Sequence, residues 1–288
     1  MSAKSTTKTS NKIKTRQSRQ GQSRSPARQA IKNELWVIKI GSSVLIDGGP
    51  LLLRALVQDI HTLQRKHKIQ IVWVTSGAIA TAKTQLHKTW KTVSEKQALS
   101  AIGQPILMDI YNQALLAESI RGAQVLLTSE DMKRPVSRTN LLNTLKTLLK
   151  WKIVPILNEN DAVATDEIKF GDNDALSAQV AQLLGADRLL ILTNVQGLYT
   201  ANPAKDRFAQ LIEYLPKVST KILETAMGRS QHGTGGMLSK LRAAQIAQKK
   251  NIATHIIKGD ASRILVEVAE GHSRGTQIGG RYIRRKQS

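Results

Sequence analysis

The sequence predicts an α/β protein, a three-layer αβα sandwich around a mostly parallel sheet. Short apolar runs of strand length alternate with stretches of helical spacing along most of the chain, the pattern of strand–helix–strand units. Some of the strand runs, such as Ile69 to Val74, are apolar but for a single residue, here Gln70, which suits parallel strands covered on both faces. Turns rich in Gly, Ser and Thr follow strands or open helices, where open α/β sheets bind ligands.

Leu35 to Ile40 is the first strand, and Gly41-Ser42-Ser43 reads as a turn. Leu52, Leu56, Ile60 and Leu63 recur at helical spacing and predict a helix over 51–66. After the strand ending at Val74, Thr75-Ser76-Gly77 turns into a short helix, and a long helix covers about 94–119. Ala123 to Leu127 is a strand, Thr128 to Asp131 looks like a helix start, and a helix follows over about 139–150. The run Ile153 to Leu157 is a buried strand, 173–184 is a helix, and Arg188 to Leu192 is the next strand. Gly197 to Tyr199 lies in a loop, and Leu211 to Tyr214 reads as a short strand. A helix over about 218–227, a Gly-rich loop from Gly228 to Gly236, and a basic helix over about 237–249 follow. Ala253 to Ile257 is a strand and 261–269 is helical. No repeat or linker interrupts 34–280, which reads as one unit between a basic tail, 1–33, and a basic end, 281–288.

Composition narrows the function classes. Aromatic residues make up only 3% of the chain, so Leu, Ile, Val and Ala must build the core. The absence of cysteine excludes disulfides, thiolate metal sites and a cysteine nucleophile. No apolar run approaches the roughly 18 residues of a transmembrane span, and the N-terminus lacks the apolar segment of a signal peptide. These features predict a soluble cytoplasmic protein with no membrane partner. The net charge is +22. Residues 1–33 hold nine Lys or Arg and no acid, among many Ser, Thr and Gln, and are expected to be disordered. Three readings of this tail stay open: a solubilising extension, a non-specific nucleic-acid contact, or an organelle transit peptide.

The most unusual stretch runs from Asn158 to Asp174, between a buried strand and a helix. It holds six of the chain's 21 acidic residues: Glu159, Asp161, Asp166, Glu167, Asp172 and Asp174. In so basic a chain, this knot suggests a site for something cationic, or an organiser of positive side chains around a phosphate. Lys39 sits near the carboxyl end of a strand expected to be buried on both faces, where an unpaired ammonium is costly. Lys240 sits at the start of a helix, just past Gly233-Thr234-Gly235-Gly236, where a cation opposes the helix dipole unless an anion is near. Neither a Walker phosphate loop nor a dinucleotide-binding Gly motif is present.

Together these blocks resemble the glutamate 5-kinases of the amino acid kinase family. The matching segments are Val37 to Leu45, Val74 to Ala80, Gly103-Gln104, Asn158 to Thr165, Gly171 to Asp174, Gly197 to Thr200, and Gly233 to Met237 with Lys240. They occur in the family's order over about 35–278. The resemblance implies the amino acid kinase fold and ATP-dependent phosphorylation of the γ-carboxylate of L-glutamate to L-glutamyl 5-phosphate, the first step of proline biosynthesis. It implies that Lys39 and Lys240 contact the transferring phosphoryl group from two sides and that Asp174 holds them by ion pairing. Ser76, Asp161 and Asn173 would bind glutamate, with Asp161 facing its ammonium. Thr193, Asn194, Thr234, Gly235, Gly236, Met237 and both lysines would bind nucleotide. Mg²⁺ would arrive with ATP, without a dedicated protein ligand. Homo-oligomerisation and feedback inhibition by proline are further expectations. Three departures stand out. Asn194 occupies a position where the family usually has Asp, Ala82 one where it commonly has Gly, and the chain reads as a short form without a C-terminal PUA domain. Ser76 and Asn173 also suit plain helix caps. A kinase for another small acid, or a regulatory protein using the basic tail on nucleic acid, are the alternatives.

Overall fold

The computed structural model describes residues 33–86, 90–163, 173–227, 236–272 and 274–281. Eight strands form one sheet: β1 (Leu35–Ile40), β2 (Gln70–Val74), β3 (Gly122–Leu127), β4 (Val154–Glu159), β5 (Arg188–Thr193), β6 (Tyr214–Leu215), β7 (Ala253–Lys258) and β8 (Thr276–Ile278). Their order is β3-β4-β2-β1-β5-β7-β8-β6. The six strands from β3 to β7 in that order are mutually parallel; β8 runs antiparallel to β7, and β6 is parallel to β8. Successive strands from β1 to β4 stay on one side of the sheet. The connection from β4 to β5 then crosses beneath β2 and β1 to the other side. This reversal sets the carboxyl ends of β4, β2, β1 and β5 side by side, the place where an open α/β sheet forms its crevice.

Nine helices are described: α1 (Ser42–Thr62), α2 (Ala78–Gln85), α3 (Val93–Ala117), α4 (Ser129–Lys133), α5 (Pro135–Lys150), α6 (Asn173–Leu184), α7 (Thr220–Met227), α8 (Met237–Gln248) and α9 (Ile264–Ala269). The period-two alternation of a strand sorts the side chains of β1 between two cores. Trp36, Ile38 and Ile40 pack with Leu56 and Ile60 of α1, Leu107 and Tyr111 of α3, and Leu265 of α9. Val37 points the other way and packs with Leu141 of α5, Val180 of α6 and Ala243 of α8. Lys39 shares the parity of Val37, so its stem rises into the layer that holds α6 and α8. A third, smaller core joins Leu198, Val218, Leu241, Ala244, Ile256 and Ile278 under the β8 end of the sheet.

The predicted turn at Gly41-Ser42-Ser43 is instead the N-cap and first residues of α1. That helix begins well before residue 51 and breaks at Gly49, where φ is 57° and Pro50 opens the second segment. It ends at Thr62 and passes into a π-helical turn, Leu63–His67. The strand predicted over 153–157 is β4, which extends two residues into the acidic stretch, so Asn158 and Glu159 belong to the sheet. α5 starts at Pro135 rather than near 139, with the proline in the first turn where its missing N–H costs nothing. The short strand predicted at Leu211–Tyr214 lies at Tyr214–Leu215 instead, and Leu211 makes only an isolated bridge to Tyr199. The last helix spans 264–269 rather than 261–269. β8 has only three residues, too few for periodicity to announce it. Thr128 caps α4 through a reciprocal box with Asp131, as the sequence there suggests. No helix among the described residues is long and apolar enough to cross a membrane.

Two glycines shape the approach to the strand ends. Gly77 caps α2 with φ 112°, a conformation that side chains rarely tolerate. Gly103 of α3 lies against the first turn of α2 so closely that a Cβ there would fall 1.8 Å from the Ala78 carbonyl oxygen. A Gly103→Ala substitution must therefore push the two helices apart. The expected loss is about 1–3 kcal/mol, the usual range for overpacking. Equilibrium urea denaturation checks it, and an unchanged midpoint would show that the interface yields freely.

Candidate active site

At the carboxyl end of β1, Lys39 points from the central strand toward the start of α6. Its Nζ lies 2.7 Å from Asp174 Oδ1, at ion-pair distance. From the start of α8, Lys240 places its Nζ 3.1 Å from Asp174 Oδ2, and the neighbouring Ser239 hydroxyl donates to the same oxygen at 2.6 Å. Lys39, Lys240 and Asp174 are 5%, 4% and 1% exposed, so the trio is buried. Two elements of local structure bring it together. Ala178 and Ala181 of α6, with Ala243 and Ala247 of α8, are small, fully buried residues of one core, and let the two helices lie close with their first turns adjacent. An acid in the first turn of α6 also suits the positive end of that helix, whereas Lys240 at the start of α8 does not. Asp174 offsets that disadvantage.

Burial acts to raise the Asp174 pKa. The Lys39 and Lys240 ammonium groups and the hydrogen bonds from Lys39 and Ser239 outweigh it, and the net shift is below the usual carboxylate value. The three charges sum to one positive unit. In a desolvated setting such a sum favours an anion close by. Lys39 Nζ also sits over Gly41, 3.8 Å from where a Cβ would be, at the N-terminus of α1. The first N–H groups of a helix lack intrahelical acceptors and add to an anion-binding field there.

Beside this cationic centre lies a polar wall. Asn173, next to Asp174, donates through Nδ2 to the Thr75 carbonyl at 2.7 Å and to Asn158 Oδ1 at 2.8 Å. Ser76 follows Thr75 at the end of β2, and its hydroxyl donates to the Ile40 carbonyl at 3.1 Å. Asp161 lies just beyond β4, where the Ser100 hydroxyl of α3 donates to its Oδ2 at 3.4 Å. Burial raises the Asp161 pKa to about 6, with the Ser100 hydrogen bond opposing the shift. Among the described residues, Asn173 Oδ1 and Asp161 Oδ1 are buried acceptors without a hydrogen-bond donor. Both suit a ligand bearing N–H groups.

On the other side of Lys240, a cleft of about 610 Å³ opens below the end of β5. Thr193, Asn194, Gly236, Met237 and Lys240 border it, and Leu198, Ile212, Leu215 and Ile222 give it an apolar floor. The Thr193 hydroxyl faces Asn194 Oδ1 at 3.5 Å. Of the site residues expected from sequence, Lys39, Lys240 and Asp174 meet directly, Asn173 joins the end of β2 beside Ser76, and Thr193, Asn194, Gly236 and Met237 share the cleft with Lys240. Thr234 and Gly235 lie outside the described residues, as do Asp166, Glu167, Asp172, residues 1–32 and 282–288, and the Gly-rich loop up to 235. The sequence reading passed over Ser239, Ser100 and Tyr111. Tyr111 shares a 2.8 Å hydrogen bond with the Thr75 hydroxyl. Ser100, Gln104 and Tyr111 are polar residues at helical spacing on the otherwise apolar buried side of α3, and that interruption is the signal that marks them.

The amino acid kinase family model matches residues 34–258. A glutamate 5-kinase from Gloeobacter violaceus is 43% identical over 261 residues, spanning 87% of this chain and 71% of the relative. Another glutamate 5-kinase, from Clostridium tetani, is 39% identical over 247 residues, spanning 83% of this chain and 92% of the relative. The crystal structure of a UMP kinase from Bacillus anthracis superposes with a TM-score of 0.60 at 15% identity, covering 85% of this chain and 96% of that one. The last similarity is one of fold alone.

Asp174→Asn would leave two buried ammonium groups facing a neutral amide, and should cost about 3–5 kcal/mol of stability. The sign of the pH dependence follows from the lowered pKa. The contribution of Asp174 is present in full above the unfolded carboxylate value and is lost as pH falls through the depressed folded value. Urea denaturation across the acid range should therefore show a stability decline in the native protein that is weaker in the variant. Equal acid slopes would contradict the ion-pair assignment.

Proposed function

The chain belongs to the amino acid kinase family, and we propose that its site works as that of a glutamate 5-kinase. It transfers the γ-phosphoryl group of ATP to the γ-carboxylate of L-glutamate, giving ADP and L-glutamyl 5-phosphate, the first step of proline biosynthesis. The observation that carries this reading is the buried pair of lysines on one carboxylate, set between an apolar cleft and a wall with two unpartnered acceptors.

The chemistry asks little of a proton-transfer residue. A γ-carboxylate is already ionised at neutral pH, so no general base is needed. One carboxylate oxygen attacks the γ-phosphorus as the bond to the β,γ-bridging oxygen breaks, and the electron pair leaves with ADP. The obstacle is the meeting of two anions, which calls for positioning and charge stabilisation. Lys39 and Lys240 would flank the transferring group, and Asp174 would keep both ammonium groups aimed and charged. Asp161 and Asn173 would accept from the substrate ammonium, and Ser76 would line the same pocket. Thr193, Asn194, Gly236 and Met237 would hold the nucleotide, whose base fits the apolar part of the cleft. Asn194 would offer that nucleotide a neutral acceptor in place of the family's usual carboxylate. Mg²⁺ would arrive with ATP and be held largely by phosphate oxygens and water. Proline inhibition and self-association belong to the same proposal, read out by adding proline to the kinase assay and by light scattering.

ADP release with glutamate, compared with aspartate, N-acetylglutamate and UMP as acceptors, tests the function. The expected result is turnover selective for glutamate and at least about 10²-fold slower in Lys39→Ala, as when a charge-stabilising donor is removed. Preference for another acid would overturn the substrate assignment, and no turnover with any would overturn the reaction.

The raised pKa of Asp161 adds a pH signature. Pairing with an ammonium requires the carboxylate, which is lost below about pH 6 in the free protein. The KM for glutamate should therefore rise up to about tenfold per pH unit below that point while the KM for ATP follows a different course. Asp161→Asn should bind glutamate more weakly and lose this acid-side rise. A native KM flat from pH 7 to 5 would contradict the pairing.

A further inference from the structure

We infer that Gln104 is a positioning residue for the acceptor substrate: it fixes the direction in which Asn173 presents its side-chain oxygen. The inference rests on the reading of Asn173 as a glutamate-binding residue and extends it to a residue on α3 that stands behind the site.

Three buried amides run in series. The Gln104 oxygen Oε1 accepts from Asn158 Nδ2 at 2.7 Å, and Asn158 Oδ1 accepts from Asn173 Nδ2 at 2.8 Å. Backbone groups anchor the far end of the series. The Thr75 carbonyl requires a donor, and Asn173 Nδ2 supplies it at 2.7 Å. The Glu159 N–H requires an acceptor, and Asn158 Oδ1 supplies it at 2.9 Å. A backbone carbonyl cannot donate and a backbone N–H cannot accept, so these contacts fix which end of each amide is oxygen. Asn173 must turn its nitrogen to Thr75 and its oxygen away. Asn158 must turn its oxygen to Asn173 and its nitrogen to α3. Gln104 must then present oxygen, as it does. All three side chains are more than nine-tenths buried, so water does not readily replace a missing partner.

The consequence appears at the open end. With its nitrogen committed, Asn173 offers Oδ1, which has no donor among the described residues, as an acceptor. That polarity suits an ammonium group and opposes a carboxylate. Without an acceptor at residue 104, Asn158 Nδ2 is buried and unsatisfied. Rotating the Asn158 amide would bring its nitrogen against Asn173 Nδ2 and the Glu159 N–H. Rotating Asn173 as well would turn an N–H toward the substrate ammonium. Each outcome weakens acceptor-substrate binding and leaves Lys39, Lys240 and the nucleotide cleft untouched. Gln104 touches neither substrate in this scheme and acts only through Asn158.

Steady-state kinetics of Gln104→Leu and Gln104→Met test this, since both keep about the same volume and remove the carbonyl acceptor. The expected result is a rise of about tenfold in the KM for glutamate, the size of an unsatisfied buried amide, with the KM for ATP unchanged within about twofold. Gln104→Glu keeps an oxygen facing Asn158 and should recover most of the glutamate affinity. Nucleotide binding followed by fluorescence titration reports whether each variant is folded. An unchanged glutamate KM in a folded Leu or Met variant overturns the inference. So does an equal loss for both substrates, or a Glu variant no better than Leu. If the native protein itself does not use glutamate, the proposed function fails instead, and the two failures are distinct.

Discussion

One carboxylate holds the site together. Asp174 takes an ammonium from the central strand on one oxygen, and an ammonium and a hydroxyl from α8 on the other. Removing the carboxylate leaves two ammonium groups unpaired in a place that water scarcely reaches, so the three elements that carry them are tied in energy as well as in space. The surrounding architecture serves this contact. The parity of β1 sends Lys39 to the layer of α6 and α8, and the small residues between those helices bring their first turns within reach.

Around this centre the two sides of the site differ in chemistry. One side is a cleft with an apolar floor, which in the proposed reading would take a flat nucleotide base with its phosphates toward Lys240. The other side is a wall of buried amides and a carboxylate, where Asn173 Oδ1 and Asp161 Oδ1 are spare acceptors and Gln104 Nε2 is a buried donor without a partner among the described residues. In the proposed reading, a zwitterionic amino acid would present its ammonium to that wall and keep its side-chain carboxylate for the lysines. The contrast is electrostatic, and under that reading it would orient each substrate.

Helix α3 supports this wall. It contacts three of the four segments that build that wall: Ser100 meets Asp161, Gln104 meets Asn158, and Tyr111 meets Thr75. Gly103 lets the start of α2 settle directly against it, behind Gly77 and Ser76. A single helix thereby fixes side chains from β2, β4 and the loop beyond β4 in one frame. The edge-to-face contact of Tyr111 with Trp73, at 5.1 Å between ring centres, anchors that helix to the sheet.

The sequence by itself determined the fold class and most of the elements, because these are local. Nearly continuous apolar runs mark strands such as β2, helical spacing marks α3, and a capping box marks the start of α4. It also singled out Lys39 and Lys240 as charges in costly places and Asp174 within the acidic stretch, and the family resemblance suggested their roles. Where signals were short or shared, local reading slipped: β8 has three residues, and the glycines at 41 and 49 obscured the early start of α1. Only the tertiary structure decided which face of β1 meets which helix, how far β4 carries Asn158 into the interior, and that Ser239, Ser100, Gln104 and Tyr111 join the site. Those contacts link residues far apart in the chain through hydrogen bonds and ion pairs. A pairing of that kind is fixed by where packing places two side chains, and neither residue carries a local mark of its partner.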